Sequence, residues 1–339
     1  MRTTNLGPFT VSRLCLGAML MGAETPAGEA HRMLDRFLDA GGNFVDTADV
    51  YGDGGSERTL APWLARHRDR VVLATKVRFG VSDPGGEGLA PDRIRAACDA
   101  SLRRLGVDTI DLYQVHGPDP AVPIEETLAA LDGLVRAGKV RALGASNFPA
   151  WLLAWSVAVQ DRERWAPFVS LQPQYSLVER SAELELLPFC RAAGLGVLPW
   201  GPLGAGFLTG RYQRGTMPDG RVTRAPDDLE EAVHRRATER NFRVLDELTK
   251  LAADHGRPVP QLALAWLLAV PGVTAPIIGP RTFEQLENLL DATDIELIAN
   301  ERERLEAPAP PPDISPQRML RGQVGQPDVP TVHRLFTST

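Results

Sequence analysis

Only three cysteines occur in 339 residues, Cys15, Cys98 and Cys190, far apart and without a C-x-x-C pair. They offer no disulfide framework and read as ordinary reduced thiols of a cytoplasmic protein. Basic charge is also in short supply: the formal net charge is −6 and the pI about 5.6, which argues against a nucleic-acid or anionic-membrane partner. No apolar run reaches bilayer length. The stretch Leu14–Gly22 is too short to span a membrane and lacks a signal-peptide layout, so a soluble protein is expected. His31, His67, His234, His255 and His333 lack metal-ligand spacing, and no metal is expected.

What is present is alternation. Short apolar runs occur at Arg13–Gly17, Asn43–Asp46, Val71–Lys76, Ile110–His116, Val140–Ser146, Val169–Pro173, Gly196–Trp200 and Thr274–Ile278. Between them, apolar residues recur at helical spacing over Gly28–Ala40, Glu57–Ala65, Pro91–Leu105, Ile124–Ala137, Ala150–Arg164, Ala182–Ala193 and after Gln261. Gly41, Gly106, Gly138 and Gly194 mark helix ends. Eight strand–helix units predict an α/β fold of the (β/α)8 TIM-barrel type. An open doubly wound sheet is the rival, but the first strand–helix junction lacks G-x-G-x-x-G. The later Gly204–Gly210 pattern reads as a flexible loop. Two segments break the rhythm: a long charged loop over 211–240 after strand 7, and a proline-rich stretch from Glu306. The expected organisation is one barrel over 1–305 and a C-terminal extension over 306–339.

Function in such barrels sits at the carboxyl ends of the strands. Those positions here carry Asp46 and Tyr51, Lys76, His116, Ser146 and Asn147, Gln172, Trp200 and Gly201, then Gly279 and Arg281. A phenol is a poor acid at neutral pH, and a nearby ammonium such as Lys76 favours its ionisation. Asp46 would hold that lysine, and His116 could donate to a substrate oxygen or share in a proton relay. Such a cluster can protonate an oxygen that has gained negative charge, as carbonyl reduction requires. Ser146–Asn147 could equally cap the helix that follows.

The motifs Asn43–Tyr51, Ala74–Lys76, Asp111–His116, Gly138–Asn147, Leu171–Leu177, Trp200–Gly210 and Pro276–Leu286, in this order, resemble those of the aldo-keto reductases. The likeness runs from about Leu6 to Leu290 and leans toward the branch similar to potassium-channel β-subunits. It implies a barrel that binds NADPH, rather than NADH, across its carboxyl rim. By position, Tyr51 would be the general acid, Lys76 and Asp46 would tune it, and His116 would orient the carbonyl. Ser146, Asn147 and Gln172 would hold the nicotinamide carboxamide, and Trp200 would stack on its ring. Further cofactor contacts would fall on Gly201, Pro202, Leu203, Gly206, Gly279, Gln285 and Asn288, with Arg281 at the 2′-phosphate. Where the family often has an acidic residue followed by asparagine, this chain has Asn288 and Leu289.

The expected function is reduction of a small aldehyde or ketone to an alcohol, with no nucleic-acid or membrane partner. A cofactor-binding regulatory subunit is the alternative. A hydrolase would need two acids facing one bond, and Asp46 with Asp49 is the only nearby pair. Met19, Met21, Phe79, Phe207 and Tyr212 suggest a partly apolar substrate pocket.

Overall fold

A computed structural model describes residues 1–227 and 231–321. Three loop residues, His333 and the extension from residue 322 on lie outside the described residues. The chain opens with an antiparallel hairpin, β1 (Thr3–Leu6) and β2 (Phe9–Ser12). Eight further strands follow: β3 (Cys15–Gly17), β4 (Phe44–Asp46), β5 (Val72–Val77), β6 (Ile110–Val115), β7 (Val140–Ser146), β8 (Phe168–Gln172), β9 (Gly196–Val197) and β10 (Ile277–Ile278). They form one sheet in the order β10-β3-β4-β5-β6-β7-β8-β9, with parallel neighbours throughout. The open edges meet: Val197 bridges Val273, and the Ile277 amide donates to the Pro199 carbonyl at 2.8 Å. The fold is a (β/α)8 barrel, and each of the eight expected strands lies where the apolar runs placed it.

Side chains alternate across the strands, so the barrel has two cores. Leu16, Val45, Leu73, Tyr113, Leu143 and Leu171 pack outward against the helices. Cys15, Phe44, Ala74, Leu112, Ala142, Leu198 and Ala275 point inward and meet Leu6, Phe9 and Val11 of the hairpin. The hairpin, which the periodicity did not reveal, therefore fills the barrel from within. Burying each of its Leu and Phe side chains contributes roughly 1.5–3 kcal/mol. Its turn at Gly7 has φ +52°, and an added Cβ would stand 2.7 Å from Val169 Cγ1.

The helices begin and end close to expectation. Pro91 occupies the first turn of Pro91–Leu105, and Gly106 follows in the left-handed conformation at φ +65°. Among its described residues the charged loop carries two short helices, Arg221–Arg224 and Val233–Arg236, and its last residues enter the helix Glu239–His255. After the helix Ala299–Glu306 the proline-rich stretch leaves regular structure and lies against the helical layer. Arg180 donates to the Ala309 carbonyl at 3.2 Å, Arg240 to the Pro310 carbonyl at 2.8 Å, and the Trp266 indole to Glu306 at 2.9 Å. Among the described residues no helix is long and apolar enough to cross a membrane.

Candidate active site

The inward face of the strands turns from apolar to polar at the carboxyl end. One pleat above Phe44, Ala74 and Leu112 stand Asp46, Lys76 and Gln114, with Gln172 across the barrel. Lys76 is fully buried, and its ammonium donates to Asp46 Oδ2 at 2.6 Å, to the Thr47 carbonyl at 2.9 Å and to the Tyr51 hydroxyl at 3.2 Å. Asp46 Oδ1 accepts from Gln114 Nε2 at 3.1 Å and Gln172 Nε2 at 3.0 Å. Two glutamine amides, the Tyr51 hydroxyl and the Thr47 carbonyl thus hydrogen-bond one buried ion pair, the condition under which such a pair is tolerated. Gly144 makes the room: a Cβ there would lie 2.4 Å from Ser170 Oγ and 3.1 Å from Gln114 Cγ.

Tyr51 and His116 close the group from the rim. Their rings meet edge to face with centroids 5.7 Å apart, and Phe79 also packs edge to face with His116 at 4.9 Å. The structure therefore brings Asp46, Tyr51, Lys76 and His116 together. Gln114 escaped the sequence reading; its signal was its position two residues before His116, on the same face of β6.

The electrostatics correct one expectation. Burial opposes a charged Lys76, but Asp46 and then Tyr51 outweigh it, so the lysine pKa lies above its ordinary value. Burial also pushes the Tyr51 phenol above its usual range; Lys76 pulls it back without reversing the direction. The expected lowering of the phenol is thus overturned by desolvation. Burial, with Lys76 adding to it, pushes His116 down to about 2, and its Nδ1 is buried without a protein partner. A neutral imidazole keeps one N–H to donate, which suits the reading of His116 as a hydrogen-bond donor to a substrate oxygen.

The remaining rim residues divide into two groups. Asn147, held at φ +57°, donates to the His116 carbonyl at 2.9 Å and accepts from the Trp200 indole at 2.9 Å. The helix Ala150–Glu163 starts at Pro149 without a side-chain cap, so Ser146–Asn147 is not its cap. Ser146 donates instead to the Gln172 carbonyl at 2.8 Å. Beyond Trp200, Gly201, Gly204 and Gly206 have φ +62°, +56° and +92°, winding Gly201, Pro202, Leu203 and Gly206 into a tight loop. Gly206 and Gly279 face open space, where a Cβ would meet nothing within 4 Å.

Arg281 precedes the helix Phe283–Leu290, whose N-cap is Thr282. Its amide donates to Gln285 at 2.8 Å, and its guanidinium reaches Glu24 at 3.4 Å. Asn288 lies exposed two turns along the same helix. Of the expected pocket residues, Phe79 is exposed, whereas Phe207 and Tyr212 are buried and stacked on each other at 5.6 Å. Those two are core, because the loop folds back on its own aromatics.

The aldo/keto reductase family model matches residues 13–309. The chain is 41% identical to the uncharacterized oxidoreductase YrpG of Bacillus subtilis, over 85% of this chain and 89% of that protein. It is 35% identical to norsolorinic acid reductase of Emericella nidulans, covering 90% and 80% of the two chains. A probable voltage-gated potassium channel β-subunit of Oryza sativa is 33% identical, over 87% and 92%.

Proposed function

Because the chain belongs to the aldo/keto reductase family, we propose that it reduces an aldehyde or ketone to the alcohol with NADPH, Tyr51 delivering the proton. The observation that carries the reading is the buried chain Asp46–Lys76–Tyr51, with links of 2.6 and 3.2 Å. A phenol kept protonated by burial is a competent acid, and the ammonium beside it stabilises the phenolate left behind. Neutral His116 donates a hydrogen bond to the carbonyl oxygen and fixes its direction. Asp46, held by Gln114 and Gln172, keeps Lys76 charged and aimed.

The rim suits a dinucleotide. Gly206 and Gly279 leave space where side chains would intrude, and Trp200 offers a ring steadied by Asn147. Ser146, Asn147 and Gln172 would border the nicotinamide end. Gly201, Pro202, Leu203 and Gly206 would line the middle, and Arg281, Gln285 and Asn288 the adenosine end. The Arg281 guanidinium beside a helix N-terminus favours a phosphate, hence NADPH over NADH. When bound, the reduced nicotinamide supplies the hydride for the carbonyl carbon.

Residues 1–305 would form the catalytic unit and 306–339 an appended segment, in a cytoplasmic protein. The likeness to the rice channel subunit favours a second reading, a cofactor-holding regulatory subunit. A panel of aldehydes and ketones, followed by loss of reduced-nicotinamide absorbance, separates the two. Steady turnover supports the reductase; a tightly held cofactor with no turnover on any carbonyl supports the sensor.

A further inference from the structure

A second buried polar cluster lies behind the strands, between the barrel wall and the helices Gly55–His67 and Pro91–Leu105. Its centre is Asp49, in the turn that joins Asp46 to Tyr51. The side chain is fully buried, and neither carboxylate oxygen has an aligned hydrogen-bond donor. The Val50 amide gives the carboxylate weak backbone support, and Arg93 NH2 stands 3.7 Å from Oδ2. Both terminal nitrogens of Arg93 and the hydroxyl of Tyr113 are likewise buried without hydrogen-bond partners. The neighbouring charges are already matched: Glu57 accepts from Thr75 at 2.6 Å and from Arg104 at 2.7 Å. Among the described residues Arg93 is thus the charge paired with Asp49, with Arg104 adding a weaker attraction from its bridge to Glu57.

That arrangement gains little stability, since a buried ion pair without good hydrogen bonds does not recover its desolvation. Its position suggests what it gains instead. The Asp49 amide donates to the Lys76 carbonyl at 3.3 Å, and Tyr51 follows two residues later. The opposite charge in the helix pulls the turn against the strand that carries Lys76.

We propose that Asp49, held by Arg93, is a positioning residue that seats the Tyr51 hydroxyl against the Lys76 ammonium. The proposal rests on the reductase reading for its kinetic arm only. Facing Asp49 are Glu57 from one helix, Arg93 and Arg104 from the other, and Tyr113 from β6. Burial and then Glu57 push the Asp49 carboxyl up to about 7 against the pull of Arg93. The gripping, ionised form is thus the one present above neutrality.

The test compares wild type with Asp49→Asn, Arg93→Gln and Arg93→Lys in kcat and KM across pH, together with crystal structures. Asp49→Asn and Arg93→Gln are expected to lose kcat about tenfold at pH 8 with KM little changed. An ionisation near pH 7 that activates the wild type is expected to vanish in Asp49→Asn, and Arg93→Lys to restore most of kcat. In the Asp49→Asn crystal structure the Tyr51 hydroxyl should stand outside hydrogen-bond distance of Lys76. An Asp49→Asn protein with wild-type kcat and an undisturbed Tyr51–Lys76 contact overturns the proposal. Failure of the wild type to reduce any carbonyl removes the reductase reading instead, and the crystal comparison then judges the positioning alone.

Discussion

Lys76 and Tyr51 are joined across 3.2 Å, with the lysine ammonium buried and anchored on Asp46. The contact has two opposing effects. The surroundings that exclude water hold the phenol protonated, while the ammonium lowers the cost of the anion it would become. An acid that must first hold and then release a proton needs both.

Removing the ammonium strands a carboxylate. Lys76→Met leaves Asp46 buried with only the Gln114 and Gln172 amides, and is expected to cost about 3–5 kcal/mol. The double variant Asp46→Asn with Lys76→Met should recover part of that loss. Denaturant unfolding of the three proteins measures it; equal losses in single and double variants would mean the pair is not coupled.

His116 makes the fold acid-sensitive. Its folded pKa is depressed to about 2, while the unfolded chain titrates near 6.5. As pH falls through 6.5 the unfolded state takes up a proton that the folded state refuses, so stability drains from about 6.5 downward. His116→Gln should flatten the dependence of the unfolding midpoint on pH between 6.5 and 5. An unchanged slope would place the sensitivity elsewhere.

Gly144 is a clearance residue. Its φ lies outside the left-handed region, but Gly144→Ala drives a methyl into Ser170 and Gln114. A loss of about 1–3 kcal/mol is expected, with lower turnover as Gln114 shifts from Asp46. Adding Ser170→Gly should relieve much of it, as thermal melts of the single and double variants will show.

Arg281 should discriminate between cofactors. Arg281→Ala is expected to weaken NADPH binding by about tenfold or more, roughly 1.4 kcal/mol, and to leave NADH binding nearly unchanged. Fluorescence titration of both cofactors checks this. Equal weakening of the two would deny the guanidinium a 2′-phosphate role.

Much of this was legible because strands and helices carry different periods. The eight runs, the glycine helix ends and the Asp46, Tyr51, Lys76 and His116 cluster follow from spacing and order. The hairpin did not, because Thr3–Ser12 shows its apolar residues only against the barrel interior it fills. Gln114 was hidden because its place two residues before His116 gains meaning only once the fold sets it against a carboxylate 68 residues earlier. The direction of the Tyr51 shift was unreadable for a similar reason. A sequence names the lysine, but only the fold says how much water is removed. Capping by Ser146–Asn147 stayed open beside cofactor contact, because the left-handed turn at Asn147, tying His116 to Trp200, is a tertiary feature.

The most direct test of the account is Tyr51→Phe, measured for cofactor affinity and for single-turnover carbonyl reduction. The account predicts cofactor binding within about twofold of wild type and reduction slower by roughly 10²–10⁴-fold. Reduction at close to the wild-type rate would contradict it, since the proton would then come from another group.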